Sequence, residues 1–147
     1  MAIRSAVMIA LLGALFAVPA TKARAADEAT GLWQTQAGDA RVRVSKCGGA
    51  LCATVASLRD KFDPNTGKPA IDDKNPDPAK ATRSMIGVHL FIDMRPAGPN
   101  RWSGQIYNAD DGKTYASNIS LASPDALRVE GCVGAFCGGE NWTRVGK

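Results

Sequence analysis

The chain has 147 residues, 45% hydrophobic but only 6% aromatic, with 18 basic and 14 acidic side chains and a net charge of +4. That length bounds a single domain with a modest core. The charges form no basic block, which argues against nucleic acid or an anionic lipid surface as a partner.

The N-terminus comes first. Arg4 precedes an apolar run of 13 residues, Ala6 to Val18, which Pro19 ends. "ARA" follows, with Ala23 and Ala25 at the small-residue positions that a signal peptidase reads. A membrane-spanning helix needs about 20 apolar residues, so the run reads as a secretory signal, residues 1–25, rather than an anchor. The alternative is an uncleaved interfacial segment. Cleavage after Ala25 leaves a domain of residues 26–147, periplasmic or secreted, with no membrane span. It also removes Arg4, Lys22 and Arg24 and no acid, leaving 15 basic against 14 acidic residues.

The rest of the chain has a β pattern. "GLWQTQ" (31–36) is a first strand. In "ARVRVSKC" (40–47), Val42 and Val44 alternate with Arg41 and Arg43, the period of a strand with one buried face. "LCATVASLRD" (51–60) and the apolar "MIGVHLFIDM" (85–94) follow. "RWSGQIYNA" (101–109) and "KTYASNISLA" (113–122) flank Asp110-Asp111-Gly112, a hairpin signal. "ALRVEGCVG" (126–134) and "FCGGENWTRV" (136–145) complete eight strands. Short strands joined by short turns predict an all-β, antiparallel up-and-down sheet, and closure into a barrel removes its exposed edges.

One segment, 61–84, has no strand pattern and holds four prolines, Pro64, Pro69, Pro76 and Pro78. Asp77 before Pro78 reads as a helix N-cap with proline at N1, which predicts a short helix in this loop. Loops of such length are commonly functional, so it reads as a lid with or without a binding role.

The four cysteines form two Cys-x4-Cys pairs, Cys47/Cys52 and Cys132/Cys137. Export favours disulfides over zinc, and the spacing is wrong for a redox Cys-x-x-Cys centre. Strand partners lie within disulfide range, so the local pairs Cys47–Cys52 and Cys132–Cys137 are expected. Bonds between the two hairpins stay open, since distant strands become neighbours in a closed sheet.

Candidate chemistry is sparse. His89, the single histidine, reads as an ordinary strand residue, and no set of ligands has metal spacing. Asp110 and Asp111 read as turn residues. Asp72, Asp73, Asn75 and Asp77 read as backbone caps or the rim of a site. Trp102 and Trp142 read as packing. No nucleophile, acid–base pair or cofactor fingerprint is visible, so a catalytic role ranks last and no cofactor is expected.

The segments "GLWQT", "VRVSKCGGALCATV", "DPNTGKPAIDDKNPDPAKATRSMIG", "WSGQIYNADDGKTY", "LRVEGCVGAFCG" and "WTR", in this order, resemble the bacterial family known as domain of unknown function 2147. The resemblance spans nearly the whole mature chain and implies a small exported protein with a lipocalin-like barrel. It implies no activity. Gly31-Leu32-Trp33 is also similar to the Gly-x-Trp signature of lipocalins. There the tryptophan closes the barrel floor under a basic residue from the last strand, a role that falls here to Arg144.

Two functions remain on these grounds. In the first, the barrel binds a small apolar or amphipathic ligand, with Arg83, Tyr107 and Tyr115 as the polar rim of its site. In the second, a filled, non-catalytic barrel acts in the cell envelope through contacts with another protein. An eight-stranded barrel is wide enough for either.

Overall fold

The computed structural model describes residues 21–147, and side chains from Ala25 onward; the first 20 residues of the predicted signal segment lie outside the described residues. Helix α1 (Thr21–Ala29) leads into strands β1 (Gly31–Gln34), β2 (Ala40–Cys47), β3 (Ala50–Leu58), β4 (Phe91–Gly98), β5 (Arg101–Asn108), β6 (Lys113–Ser123), β7 (Ala126–Val133) and β8 (Phe136–Gly146). The strands pair in sequence order, antiparallel throughout, and β1 pairs with β8 to close the barrel. The fold is the closed antiparallel up-and-down barrel expected from the strand pattern.

The alternation of side chains decides what faces inward. Val42 and Val44 on β2, Leu51 and Ala53 on β3, Ile119 and Leu121 on β6, and Leu127 and Val129 on β7 are all buried. Arg41 and Arg43, which alternate with the two valines, stand in solvent. Burying an aliphatic side chain of this size stabilises the fold by roughly 1.5–3 kcal/mol, so a slip of one residue in any of these strands is strongly disfavoured.

The core is concentrated at one end, which Trp33 and α1 close. Trp33 is fully buried, and its indole Nε1 donates to the carbonyl of Ala29 at 2.9 Å. The Arg144 guanidinium lies 4.3 Å from the centre of the Trp33 ring. Arg144 also donates to the carbonyls of Thr30 (2.7 Å), Pro124 (2.7 Å) and Glu28. Gly31 shows why glycine opens this motif. Its φ is +141°, and a Cβ there would strike Arg144 Nη1 and the Gly146 carbonyl. Removing that side chain lets the last strand and its arginine close over the first.

The two disulfides are the local ones, Cys47–Cys52 and Cys132–Cys137, with Cα separations of 5.9 and 4.0 Å. Cys132 and Cys137 face each other directly in the β7–β8 ladder. Each bond closes a very short loop and, on the chain-entropy estimate, stabilises by only about 2 kcal/mol. Their main effect is to hold two hairpin tips.

Two expectations are corrected. The fourth strand, predicted at 85–94, is β4 at Phe91–Gly98. Gly87 turns out of extended geometry at φ +90°, so residues 85–90 run beside β3 through scattered bonds: Gly87 N–H to Val55 O, Val55 N–H to Val88 O, and Leu90 N–H to Ala53 O. The short helix of one or two turns expected within 61–84 is reduced to one turn. The Ala81 amide reaches the Asp77 carbonyl, and Asp77 Oδ1 accepts from the Ala79 amide as an N-cap does. The turn stops because the Arg83 carbonyl is taken by the Asp72 amide and Ser84 bridges to Ile71. The one regular helix among the described residues is α1.

Candidate functional site

The opposite end of the barrel is open. The β1–β2, β3–β4, β5–β6 and β7–β8 connections surround a cavity of about 500 Å³. Its walls are mainly apolar, with Val42, Val55, Leu90, Ile106, Val129 and Trp142 among them. Trp142 forms the inner wall, stacked on Phe91 with ring centres 5.8 Å apart and planes 8° from parallel. The space exists because Gly131 and Gly138, directly paired across β7 and β8, both line it without side chains. Polar groups are few: Thr35, Tyr107, Tyr115, Asn108 and the carboxylates of Asp39, Asp110 and Glu140. A mostly apolar concavity with a few polar groups is the ordinary make-up of a small-molecule site.

The long connection between β3 and β4 is an ordered strap beside this mouth. It carries its own short pairings, Phe62 with Pro69 and Ile71 with Ser84. Its anchor is Asp72, which has no solvent exposure. Asp72 Oδ1 accepts from the Tyr107 hydroxyl at 2.5 Å. Its Oδ2 accepts from Arg83 Nε and Nη2 at 3.0 and 2.8 Å and from Asn75 Nδ2 at 2.8 Å. Asn75 also donates to the Tyr107 oxygen at 3.2 Å. Burial works to raise the Asp72 pKa, but the hydrogen bonds from Tyr107, Asn75 and Arg83 outweigh it and hold the carboxyl below its usual 3.8. Burial, reinforced by the neighbouring Asp72 carboxylate, pushes the Tyr107 phenol up to about 12. Around neutral pH the pair is therefore an ionised acceptor and a neutral donor. With four donors on its two oxygens, Asp72 has no free position for chemistry and serves as an anchor.

Gly112 lets the strap lie this close. It sits in the turn after Asp110-Asp111 with φ +71°, and a Cβ there would collide with the Lys74 carbonyl. Asn108 and Asp111 cap the same turn through their side chains.

The three residues expected to form a polar rim are divided. Tyr107 and Tyr115 line the cavity, whereas Arg83 does not and holds Asp72 instead. Tyr115 donates to Asp111 at 2.5 Å, so the two tyrosines are tied to different loops. His89 is exposed. Trp102 and Trp142 are both buried, and Trp142 has the added role of cavity wall. Among the described residues no three His, Cys, Asp or Glu side chains gather to hold a metal ion, and no helix is long and apolar enough to cross a membrane.

Sequence reasoning did not single out Asp72 as a hub, nor Glu140, Gly131 and Gly138 as cavity residues. Glu140 and Gly138 were within reach. Once Trp142 and Arg144 are placed inward, period two puts Gly138 and Glu140 on the same face.

A closed eight-stranded barrel with a floor tryptophan under an arginine and an open, apolar far end defines a lipocalin-like protein. A solved structure titled "Protein HP1028 from the human pathogen Helicobacter pylori belongs to the lipocalin family" is similar to it, with a TM-score of 0.66 and 27% sequence identity over 79% of this chain and 82% of that one. The family described as "Uncharacterized protein conserved in bacteria (DUF2147)" matches residues 31–144, and the chain belongs to that family. No curated protein matches it.

Proposed function

We propose that this protein is an exported carrier or sensor that holds one small, apolar or amphipathic molecule in the open end of its barrel. The observation that carries the reading is the cavity of about 500 Å³, apolar except for a few polar groups at its wall and mouth. A filled barrel would have no such space. The lipocalin description of the Helicobacter pylori protein is in keeping with this. Binding is tested by titration with the neutral fluorophore N-phenyl-1-naphthylamine. The wild type should give saturable enhancement. Gly138→Phe should abolish it with the fold intact, since Gly138 has open space where a side chain would start and no positive φ. Equal enhancement in both proteins would place the probe elsewhere and reject the cavity as the site.

Export to the periplasm or medium is part of the proposal. Its support is the signal-like start of the sequence together with two disulfides and no free cysteine among the described residues. Cleavage after Ala25 would leave Glu28, Ala29 and Thr30, whose carbonyls anchor Trp33 and Arg144, in the mature chain. N-terminal sequencing of the protein from a native periplasmic fraction should begin at Ala26. Recovery of the full-length chain from the cytoplasm would contradict export.

A second reading, contact with another envelope protein, is favoured by one observation. Phe136 and Val133, at the stapled β7–β8 tip, are 86% and 68% exposed.

A further inference from the structure

The charged groups of the cavity are all of one sign. Asp39, Asp110 and Glu140 line it, and no lysine, arginine or histidine does. None of the three carboxylates belongs to an ion pair among the described residues. Asp39 accepts only from the neutral Thr35 hydroxyl (2.5 Å), and Glu140 Oε1 only from Trp142 Nε1 (2.5 Å). This is not the bias of the whole chain, which is net positive. It is local to the barrel mouth.

Two further features bear on what fills the space. Tyr107, Tyr115 and Trp142 line the same cavity, and aromatic faces beside carboxylates are the usual surroundings of a bound ammonium group. Ser117 is 2% exposed, and its hydroxyl has no hydrogen-bond partner. It shares the inward face of β6 with Tyr115. Its ladder neighbours are Gly104 and Gly131, so no side chain from either adjacent strand covers it at that level. Buried hydroxyls ordinarily find a partner, and this one faces the barrel interior beside a glycine of the cavity wall.

We infer that the cavity selects a cationic amphiphile, an alkyl- or arylamine whose apolar body lies against Val55, Leu90, Ile106 and Val129 and whose ammonium group is held by Glu140 and the mouth carboxylates. The inference rests on the binding reading above and narrows it. Fatty acids and other anionic amphiphiles are disfavoured, because an anion would enter a site with three carboxylates and no cation to answer it. In an apolar cavity the effective dielectric is well below that of water, so the sign of the ligand charge counts for more there than on an open surface.

The test uses three ligands of matched chain length, decylamine, decanol and decanoate, each below its micelle concentration, displacing N-phenyl-1-naphthylamine from the disulfide-intact protein. Decylamine should displace the probe at least about tenfold more tightly than decanoate, with decanol between them. Glu140→Gln keeps an oxygen for Trp142 Nε1 but removes the charge, so the advantage of decylamine over decanol should shrink several-fold. Decanoate binding as tightly as decylamine would overturn the charge inference and leave the cavity reading standing. Wild-type discrimination that Glu140→Gln leaves untouched would overturn the role given to Glu140. Failure of all three ligands and of the probe to bind would overturn both the inference and the reading on which it rests.

Discussion

Trp33→Ala should be the most damaging single substitution in the barrel, lowering stability by roughly 3–5 kcal/mol, the range for deleting a fully buried aromatic side chain. Trp33 has no exposed surface, its indole N–H satisfies the Ala29 carbonyl, and its ring is the platform on which Arg144 lies. Its loss opens a void at the closed end and removes the stacking partner of a guanidinium that spans three chain segments. Domains of this size are stable by only about 5–15 kcal/mol in all, so the variant should melt on the order of 15 °C lower. Arg144→Lys separates packing from tethering. A lysine keeps the charge but cannot fork to the carbonyls of Thr30, Pro124 and Glu28. It should cost less than Trp33→Ala and yet loosen the segment that leads into β1, which amide hydrogen exchange at residues 28–30 reads directly. A melting point for Trp33→Ala within a few degrees of wild type would refute the floor-plug account.

Asp72→Ala should come next, at roughly 2–4 kcal/mol, because it strips the acceptor from the buried Tyr107 hydroxyl and from Arg83 and Asn75 together. The figure lies below that of a fully buried ion pair because Arg83 is about one-third exposed and can turn to water. The same cluster sets a pH dependence at both ends. The folded-state pKa of Asp72 is depressed, so its contribution is complete above the unfolded value near 3.8 and is lost as pH falls through the lower folded value. The Tyr107 pKa is raised from 10.0 to about 12, so its contribution is complete below pH 10 and is lost as pH climbs toward 12. Tyr107→Phe should weaken both limbs: it removes the Tyr107 contribution to the alkaline one, and it removes the hydrogen bond that does most to hold the Asp72 carboxyl down. Thermal melts across pH 2–12 check both limbs, and an acid limb in Asp72→Ala as steep as in wild type would show that another group governs it.

The regular part of the fold was legible because it rests on period-two patterning. Val42 and Val44 between arginines, Ile119 and Leu121 in phase with Tyr115, and Asp-Gly at 111–112 each specify a local structure, and pairing in sequence order follows from the short turns. The cysteines were legible for the same reason, since each pair straddles a tight hairpin. The strap was not. Residues 61–84 follow no period, and their order depends on contacts with residues far away in sequence, such as Asp72 with Tyr107 and Lys74 with Gly112. The misplaced start of β4 has a related cause. An apolar run such as "MIGVHLFIDM" looks uniform in sequence, whereas Gly87 and the positive φ of Asp93 (51°) bend it in the fold. The cavity was half-legible. Inward phase could be assigned to Gly138 and Glu140, but whether the interior is filled depends on the summed side-chain volumes of eight strands, which pattern alone does not provide.

The measurement that bears most directly on the central claim is a two-dimensional amide NMR titration of the disulfide-intact protein with decanol, a neutral ligand independent of the charge argument. Binding in the open end predicts saturable shifts at Val55, Leu90, Ile106, Val129, Gly131 and Gly138, with the indole signal of Trp142 moving and that of Trp33, at the closed end, staying still. Shifts confined to residues outside the cavity, such as Phe136 at the exposed tip, or none at all up to the solubility limit of decanol, would contradict a ligand site inside the barrel.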